Sequence, residues 1–193
     1  MSNPGPENKA EQDLAAVKEM VAVKRRKLGV KYDRFISRVA EVLRANSPGA
    51  FPMTDEQLKD LVATIDVVGE ESRGLMKKLG DYCSGCGWCC SQTSRIIVTE
   101  PDAVRISREL RKKPEDLFSF DGKDWTIKQA HPCQWWNPRN GRCSVYTIRP
   151  ATCRVWPLAT NEYGQKLLHP IVDCSFAVLV LADKVMTSLR RAA

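Results

Sequence analysis

Apolar residues recur at helical spacing through the first part of the 193-residue chain. Three such stripes predict three helices, over residues 9–28, 32–45 and 54–80. Gly29 is placed to end the first helix, and Thr54 with Gln57 forms a capping box that begins the third. The pattern therefore predicts a mostly helical arm over residues 9–80, preceded by a disordered segment of residues 1–8.

Beyond this arm the apolar runs become short and are separated by turns. Three of them predict short strands, at residues 96–98, 125–128 and 166–168. Thr99 is expected to cap a helix over residues 100–112, and Asp173 to cap a last helix that ends near Arg190. The predicted fold class is mainly α with short β-strands. The helical arm is expected to pack on a loop-rich core within residues 81–193, which the last helix closes.

All cysteines lie beyond the arm. Four stand close together and four follow downstream: Cys83, Cys86, Cys89 and Cys90, then Cys133, Cys143, Cys153 and Cys174. A C-x2-C-x2-C-C run brings several thiolates within reach of one centre, and its spacing equals the first three ligands of a bacterial ferredoxin run. Adjacent side chains diverge, so Cys89 and Cys90 are not expected to serve one mononuclear site together. All eight are predicted metal ligands, which suits two four-thiolate sites or one site with spare thiols.

Other side chains with relevant chemistry accompany the downstream cysteines. Arg149 and Arg154 are predicted at the site, where they offset thiolate charge or hold the loops through hydrogen bonds to carbonyls. His131 is either a ligand or a hydrogen-bonded loop histidine, and His169 is expected to be structural. All five tryptophans fall within residues 88–156, where their rings would exclude water from a metal centre or simply supply the core.

Charge and composition narrow the functional classes. The net charge of +7 is spread along the chain, which permits an acidic partner without indicating a nucleic-acid face. No apolar signal core or membrane-spanning run is present, so we expect a cytoplasmic protein with reduced thiols rather than a disulfide framework. The helical arm is expected to bind a protein partner or to shield the cysteine core. No nucleophile–base pair or paired carboxylate identifies an enzymatic reaction.

With these motifs in view, the chain from Cys83 to Pro157 resembles the YkgJ-type CxxCxxCC cysteine-cluster family, which is described as zinc- or iron-chelating. Blocks downstream of the cysteine run carry the resemblance: Thr99-Glu100, Pro132-Cys133, Gly141 to Tyr146, Arg149-Pro150 and Cys153 to Pro157. The family usually reads C-P-F-L or similar at the second block, where this chain has Cys133-Gln134-Trp135-Trp136. The cysteine-rich part of flagellin lysine methylases is also similar and implies an iron–sulfur cluster.

The resemblance and the cysteine spacing lead to three ordered hypotheses. The first is a protein with one or two 4Fe–4S clusters that acts in electron transfer or as a cluster-bearing subunit of a larger complex. The second is a zinc-binding structural or interaction module, in which the metal holds together loops that bury too little apolar area alone. The third is a metal-dependent protein-modifying enzyme.

Overall fold

The computed structural model describes residues 6–68, 83, 86–160 and 166–192. Its helices are α1 (Pro6–Leu28), α2 (Val30–Asn46), α3 (Asp55–Val68), α4 (Trp88–Gln92), α5 (Glu100–Leu110), α6 (Pro114–Leu117), α7 (Ala151–Val155) and α8 (Ser175–Ala192). Its strands are β1 (Ile97–Val98), β2 (Phe118–Phe120), β3 (Trp125–Ile127), β4 (Trp136–Asn137), β5 (Arg142–Cys143), β6 (Leu158–Thr160) and β7 (Lys166–Leu168), and a 3-10 turn covers Tyr146–Ile148. The predicted fold class, mainly α with short β-strands, is confirmed.

The chain forms two compact units. The helical unit comprises Met1–Arg73 and Leu168–Ala193, and the cysteine unit comprises Gly74–Leu167. The cysteine unit is therefore inserted in the sequence between two parts of the helical unit. The last helix was predicted to close a domain of residues 81–193, whereas in the structure Leu181 and its neighbours on α8 join the core of the helical unit.

The helix ends follow the capping signals. Gly29 ends α1 with a left-handed φ of +58°, and its N–H donates to the carbonyl of Arg25 at 2.7 Å. At the start of α3, the Thr54 N–H donates to Gln57 Oε1 (2.9 Å) and the Gln57 N–H donates to Thr54 Oγ1 (3.3 Å). The predicted capping box is therefore present, because both backbone donors find the side-chain acceptors expected of them.

Two predicted segments fall partly outside the described residues. The third helix was predicted to continue over residues 69–80, which lie outside them. The predicted disordered segment also lies outside them as far as residue 5, whereas Pro6 begins α1. A proline suits this position because the N–H of the first helical residue has no acceptor within the helix, so its absence costs no hydrogen bond.

The hydrophobic core of the helical unit draws on all four of its long helices. Val21 of α1, Phe35 of α2, Leu58 of α3 and Leu181 of α8 are all buried in one cluster. Leu14, on the N-terminal half of the α1 stripe, is 55% exposed. Apolar spacing thus identified the core helices, while the α1 stripe is buried only toward its C-terminal end.

A buried carboxylate links these helices. Asp66 is 5% exposed and accepts hydrogen bonds from the Tyr32 hydroxyl at 2.6 Å and the Lys24 ammonium at 2.7 Å. The Lys184 ammonium donates to the Asp66 carbonyl at 3.3 Å. Burial, together with the nearby Asp66 charge, raises the pKa of Tyr32 above its ordinary value. The buried charge is thereby paired by residues from α1 and α2, while α8 contacts the backbone of Asp66.

The cysteine unit is built from much shorter elements. Strands β1, β3 and β2 form an antiparallel sheet in that order, in which Val98 faces Trp125 and Phe118 faces Ile127. Thr99 caps α5 by accepting from the Asp102 N–H at 3.3 Å. The antiparallel pair of β4 with β5 and a two-stranded sheet of β6 and β7 complete the described strands. None of the described helices has the length and hydrophobicity that a membrane crossing requires.

Candidate metal centre

Every cysteine except Cys174 belongs to the cysteine unit, and five of them form one group. The sulfurs of this group act on one another's pKa values, either by hydrogen bonds or through their charge. We call these five the thiol cluster: Cys89, Cys90, Cys133, Cys143 and Cys153. The structure therefore brings together the adjacent pair that ends the C-x2-C-x2-C-C run and the three downstream cysteines of the unit.

Gly87 positions the adjacent pair. It caps the N-terminus of α4 with a left-handed φ of +73°, so that Cys89 and Cys90 lie in the first turn of the helix. Successive helical residues are rotated by about 100° rather than placed on opposite sides. Cys90 is hydrogen-bonded to both Cys89 and Cys143. The divergence predicted for the adjacent pair is thus not observed, because Cys89 and Cys90 are hydrogen-bonded to each other. Whether both serve one metal site stays a prediction.

Backbone hydrogen bonds place Cys133 beside this pair. Its N–H donates to the carbonyl of Cys90 at 2.8 Å, and its own carbonyl accepts from the N–H of Trp136 at 2.8 Å. The side chain is buried, and this burial raises the pKa of the Cys133 thiol. Cys133 is therefore fixed to the short helix α4 although more than forty positions separate it from Cys90 in the sequence.

Two glycines allow the cysteine run to touch the hairpin that carries Cys143. Gly141, in the turn between β4 and β5, has a φ of +68°. A Cβ on Gly87 would lie 1.9 Å from the carbonyl oxygen of Gly141, and one on Gly141 would lie 3.2 Å from the carbonyl oxygen of Cys86. A side chain at position 87 has no room, because the obstacle is backbone. This contact fixes α4 against the β4–β5 hairpin.

Helix α5 holds the loop that joins β5 to α7. The Asp102 carboxylate accepts from the N–H of Ala151 at 2.6 Å and from the guanidinium of Arg105. The same guanidinium donates to the carbonyls of Ile148 (3.0 Å) and Arg149 (3.4 Å). Burial tends to raise the pKa of Asp102, but the hydrogen bonds from Arg105 and Ala151 outweigh it and the pKa falls. The last two cysteines of the thiol cluster flank this braced loop.

The two arginines predicted at the site have different positions. Arg149 is half-buried, stacks on the ring of Tyr146 at 3.8 Å, and lowers the pKa of Cys143 through its charge. Arg154 is exposed and donates to the carbonyls of Arg149 (3.0 Å) and Thr147 (3.4 Å). Arg149 therefore offsets thiolate charge, whereas Arg154 holds the loop. Direct contact of either arginine with a cofactor stays a prediction.

Hydrogen bonds within the thiol cluster distribute its protons unevenly. The hydrogen bond with Cys90 lowers the pKa of Cys143 to about 6 and the pKa of Cys89 to about 7. The same two bonds raise the pKa of Cys90. Burial, assisted by the neighbouring thiolates, raises the pKa of Cys153 to about 12. Two sulfurs thus approach the thiolate form, which is the form that binds metals.

Three predicted ligands lie outside the thiol cluster. Cys86 is exposed. Cys83 is half-buried, and its carbonyl accepts a hydrogen bond from the Tyr146 hydroxyl. Cys174 directly precedes α8 and packs against the core of the helical unit. Their roles as ligands stay predictions.

The donor set of the thiol cluster fits a metal that prefers sulfur. Thiolates select zinc and iron–sulfur centres, and one tetrahedral site needs four of them. Among residues 6–68, 83, 86–160 and 166–192, no three His, Cys, Asp or Glu side chains form a ready arrangement around a metal ion. The side chains of both His131 and His169 are exposed.

Several residues that shape the site carried no signal in the sequence analysis. Gly141 belongs to a matched family block, but its backbone contact with Gly87 links distant segments and has no local pattern. Asp102 lies in the first turn of the helix predicted over residues 100–112, and that position does not indicate that one of its oxygens accepts from the loop amide of Ala151. The spacing of Asp102 and Arg105 within a helix could have suggested their mutual ion pair, but not the loop that they hold.

Comparisons with known proteins agree with this geometry. Residues 82–170 match the family model described as "CxxCxxCC: Putative zinc- or iron-chelating domain", which confirms the resemblance seen in the sequence. The uncharacterized protein MJ0661 of Methanocaldococcus jannaschii is 25% identical over 92 residues, which cover 45% of this chain and 49% of that protein. The chain therefore spans about half the length of this curated relative. No solved structure shows significant similarity to the chain.

Proposed function

We propose that the cysteine unit binds an iron–sulfur cluster of the 4Fe–4S class and that the protein transfers electrons or carries the cluster within a larger complex. The observation that carries this proposal is the convergence of five thiols in the thiol cluster, supplied by both the C-x2-C-x2-C-C run and the downstream loops. A chelating domain match is consistent with either iron or zinc. The C-x2-C-x2-C spacing of Cys83, Cys86 and Cys89, which equals the first three ligands of a bacterial ferredoxin run, favours a cluster.

The residues of the unit have separate parts in this proposal. The thiol cluster supplies ligands, and Cys83 and Cys86 remain candidates to complete the set. Arg149 offsets the negative charge of the bound thiolates, since it already lowers the pKa of Cys143. Trp135 and Trp136 pack beside the thiols and exclude water from them. An iron–sulfur cluster, when bound, exchanges single electrons at a potential that these surroundings tune.

Metal and sulfide analysis of anaerobically purified protein tests the proposal. We expect a brown protein that absorbs near 400 nm and contains iron and acid-labile sulfide in equal amounts. A Cys143→Ser variant should lose most of this iron, because Cys143 joins the hairpin to the thiols of α4. Arg139→Ser is the matched control, since this residue is exposed in the same hairpin. A colourless protein with stoichiometric zinc would contradict the proposal.

Zinc binding is the second candidate, and the small size of the elements in the cysteine unit favours it. Strands of two or three residues bury little apolar surface, so a structural metal would add stability that the core lacks. The same analysis separates the two, because zinc would appear without sulfide and without colour. The predicted protein partner of the N-terminal helices stays a prediction under either metal.

A further inference from the structure

The indole N–H of Trp136 is a buried donor without a protein acceptor. Its Nε1 atom is closed to solvent and has no hydrogen-bond partner among the described residues. Native proteins pair nearly all buried polar groups, because an unpaired donor loses its hydration without compensation. Of the four such side-chain atoms among the described residues, Trp136 Nε1 borders the thiol cluster, which suggests that its acceptor belongs to whatever binds there.

Three independent contacts place Trp136 at the thiol cluster. It faces Cys143 directly across the β4–β5 ladder, so that the two side chains share one face of the hairpin. Its backbone N–H donates to the carbonyl of Cys133 at 2.8 Å. Its Nε1 atom lies 2.5 Å from the position that a Cβ of Gly87 would occupy, between Cys86 and Cys89 in the sequence. The indole is thus bordered by both halves of the proposed ligand set.

We infer that the indole N–H of Trp136 donates a hydrogen bond to the sulfur of a ligand thiolate in the bound metal centre. This inference rests on the proposed function, since it needs a metal to hold the sulfurs beside Nε1. A donor directed at sulfur withdraws electron density from it and favours the reduced, more negative state of a cluster. Trp136 is therefore a positioning and tuning residue rather than a ligand.

The main competing acceptor is the carbonyl oxygen of Gly141. This oxygen lies on the same side of Gly87 as Nε1, 1.9 Å from the hypothetical Cβ, yet no hydrogen bond joins it to the indole. A small shift of the indole would pair the two groups without any metal. The two acceptors are distinguishable, because only a sulfur acceptor makes the state of the N–H depend on metal.

The test uses the full chain with cobalt(II) as the probe and compares the Trp136→Phe variant with wild type. Phenylalanine keeps the aromatic packing and removes the N–H. We expect the thiolate-to-cobalt charge-transfer band to move to lower energy in Trp136→Phe, because the sulfur lone pairs lose a stabilising donor. Trp125→Phe is the matched control, since Trp125 packs against Phe120 in the same unit and should leave the band unchanged. In the iron form, the Trp136→Phe reduction potential should become more negative.

A second measurement on the wild-type chain covers the case in which the variant does not fold. With 15N-labelled tryptophan and sequential assignment, the indole N–H signal of Trp136 should shift downfield when zinc is added. Absence of iron and acid-labile sulfide from the anaerobically purified wild type would contradict the proposed function itself. This inference would be overturned, and the proposed function left standing, if the wild-type band were unchanged in Trp136→Phe or if the indole N–H signal did not shift when zinc is added.

Discussion

The two units differ in the length of their helices and strands, and so in the apolar surface that these elements can bury. The helical unit has helices of 23, 17, 14 and 18 residues, whose long apolar faces bury one another. The cysteine unit has strands of two or three residues and helices of four or five beside the longer α5. Apolar periodicity alone therefore accounts for the first unit. The second unit is held by backbone contacts, by the hydrogen bonds of Asp102 and Arg105 to a loop, and by the thiol cluster. We therefore expect a bound metal to contribute to its stability.

Removing the metal is expected to have the largest effect and to separate the two units. Structural metal–thiolate sites contribute on the order of 10 kcal/mol to folding. A chelator should therefore abolish the near-ultraviolet circular dichroism of the tryptophans, all of which lie in the cysteine unit, while most helical signal at 222 nm persists. Restoring the metal is the control. If the tryptophan signal survives complete chelation, the unit does not depend on metal.

A methyl group at position 87 should destabilise the cysteine unit. The Gly87→Ala substitution sets a Cβ against the Gly141 carbonyl and forces alanine into a left-handed conformation. We expect a loss of about 3 kcal/mol or more, with reduced metal content, measured by tryptophan-monitored unfolding. Gly122→Ala is the control, because its φ is +94° but nothing lies within 4 Å; it should cost only about 1 kcal/mol. Equal losses would show that the Gly87–Gly141 contact is not tight.

A cavity in the helical unit should leave the metal site unaffected. Leu58 is completely buried, so Leu58→Ala should cost about 3 kcal/mol in unfolding followed at 222 nm. The metal content should remain that of the wild type. Val30→Ala, at a position 67% exposed, should change stability by less than about 0.5 kcal/mol. Loss of metal in Leu58→Ala would show that the two units depend on each other.

Tyr32→Phe should give the smallest effect, and the size of this effect should decrease with rising pH. Removing the hydroxyl deprives the Asp66 carboxylate of one donor, which should cost about 1–2 kcal/mol at pH 8. Because burial raises the pKa of Tyr32, its contribution is complete below the unfolded value of about 10 and is lost as the pH rises toward the folded value. Tyr32 is the single tyrosine of this unit, so the stability gap between wild type and variant should narrow by pH 11. A constant gap would mean that the tyrosine is not buried as a neutral group.

Predictability from sequence follows the same division. In the helical unit, a local signal such as the Thr54–Gln57 box identifies a helix start, since the interacting groups are three positions apart. In the cysteine unit, the decisive contacts join residues far apart in sequence, as when the Cys133 amide bonds to the Cys90 carbonyl. The spacing of the cysteines identified them as candidate ligands. Which of them lie together depends on these long-range contacts. The position of α8 was also missed, because an apolar stripe does not specify which core it joins.

The insertion of one unit within the other has a consequence for protein synthesis. A ribosome completes residues 74–167 before it produces α8, which supplies Ala177, Leu181 and Val185 to the core of the helical unit. The seven cysteines of the inserted unit are therefore synthesised before α8, which is the last helix to join α1, α2 and α3 in the core of the helical unit. Metal can therefore reach these thiols during translation, before α8 is available to complete the core of the helical unit.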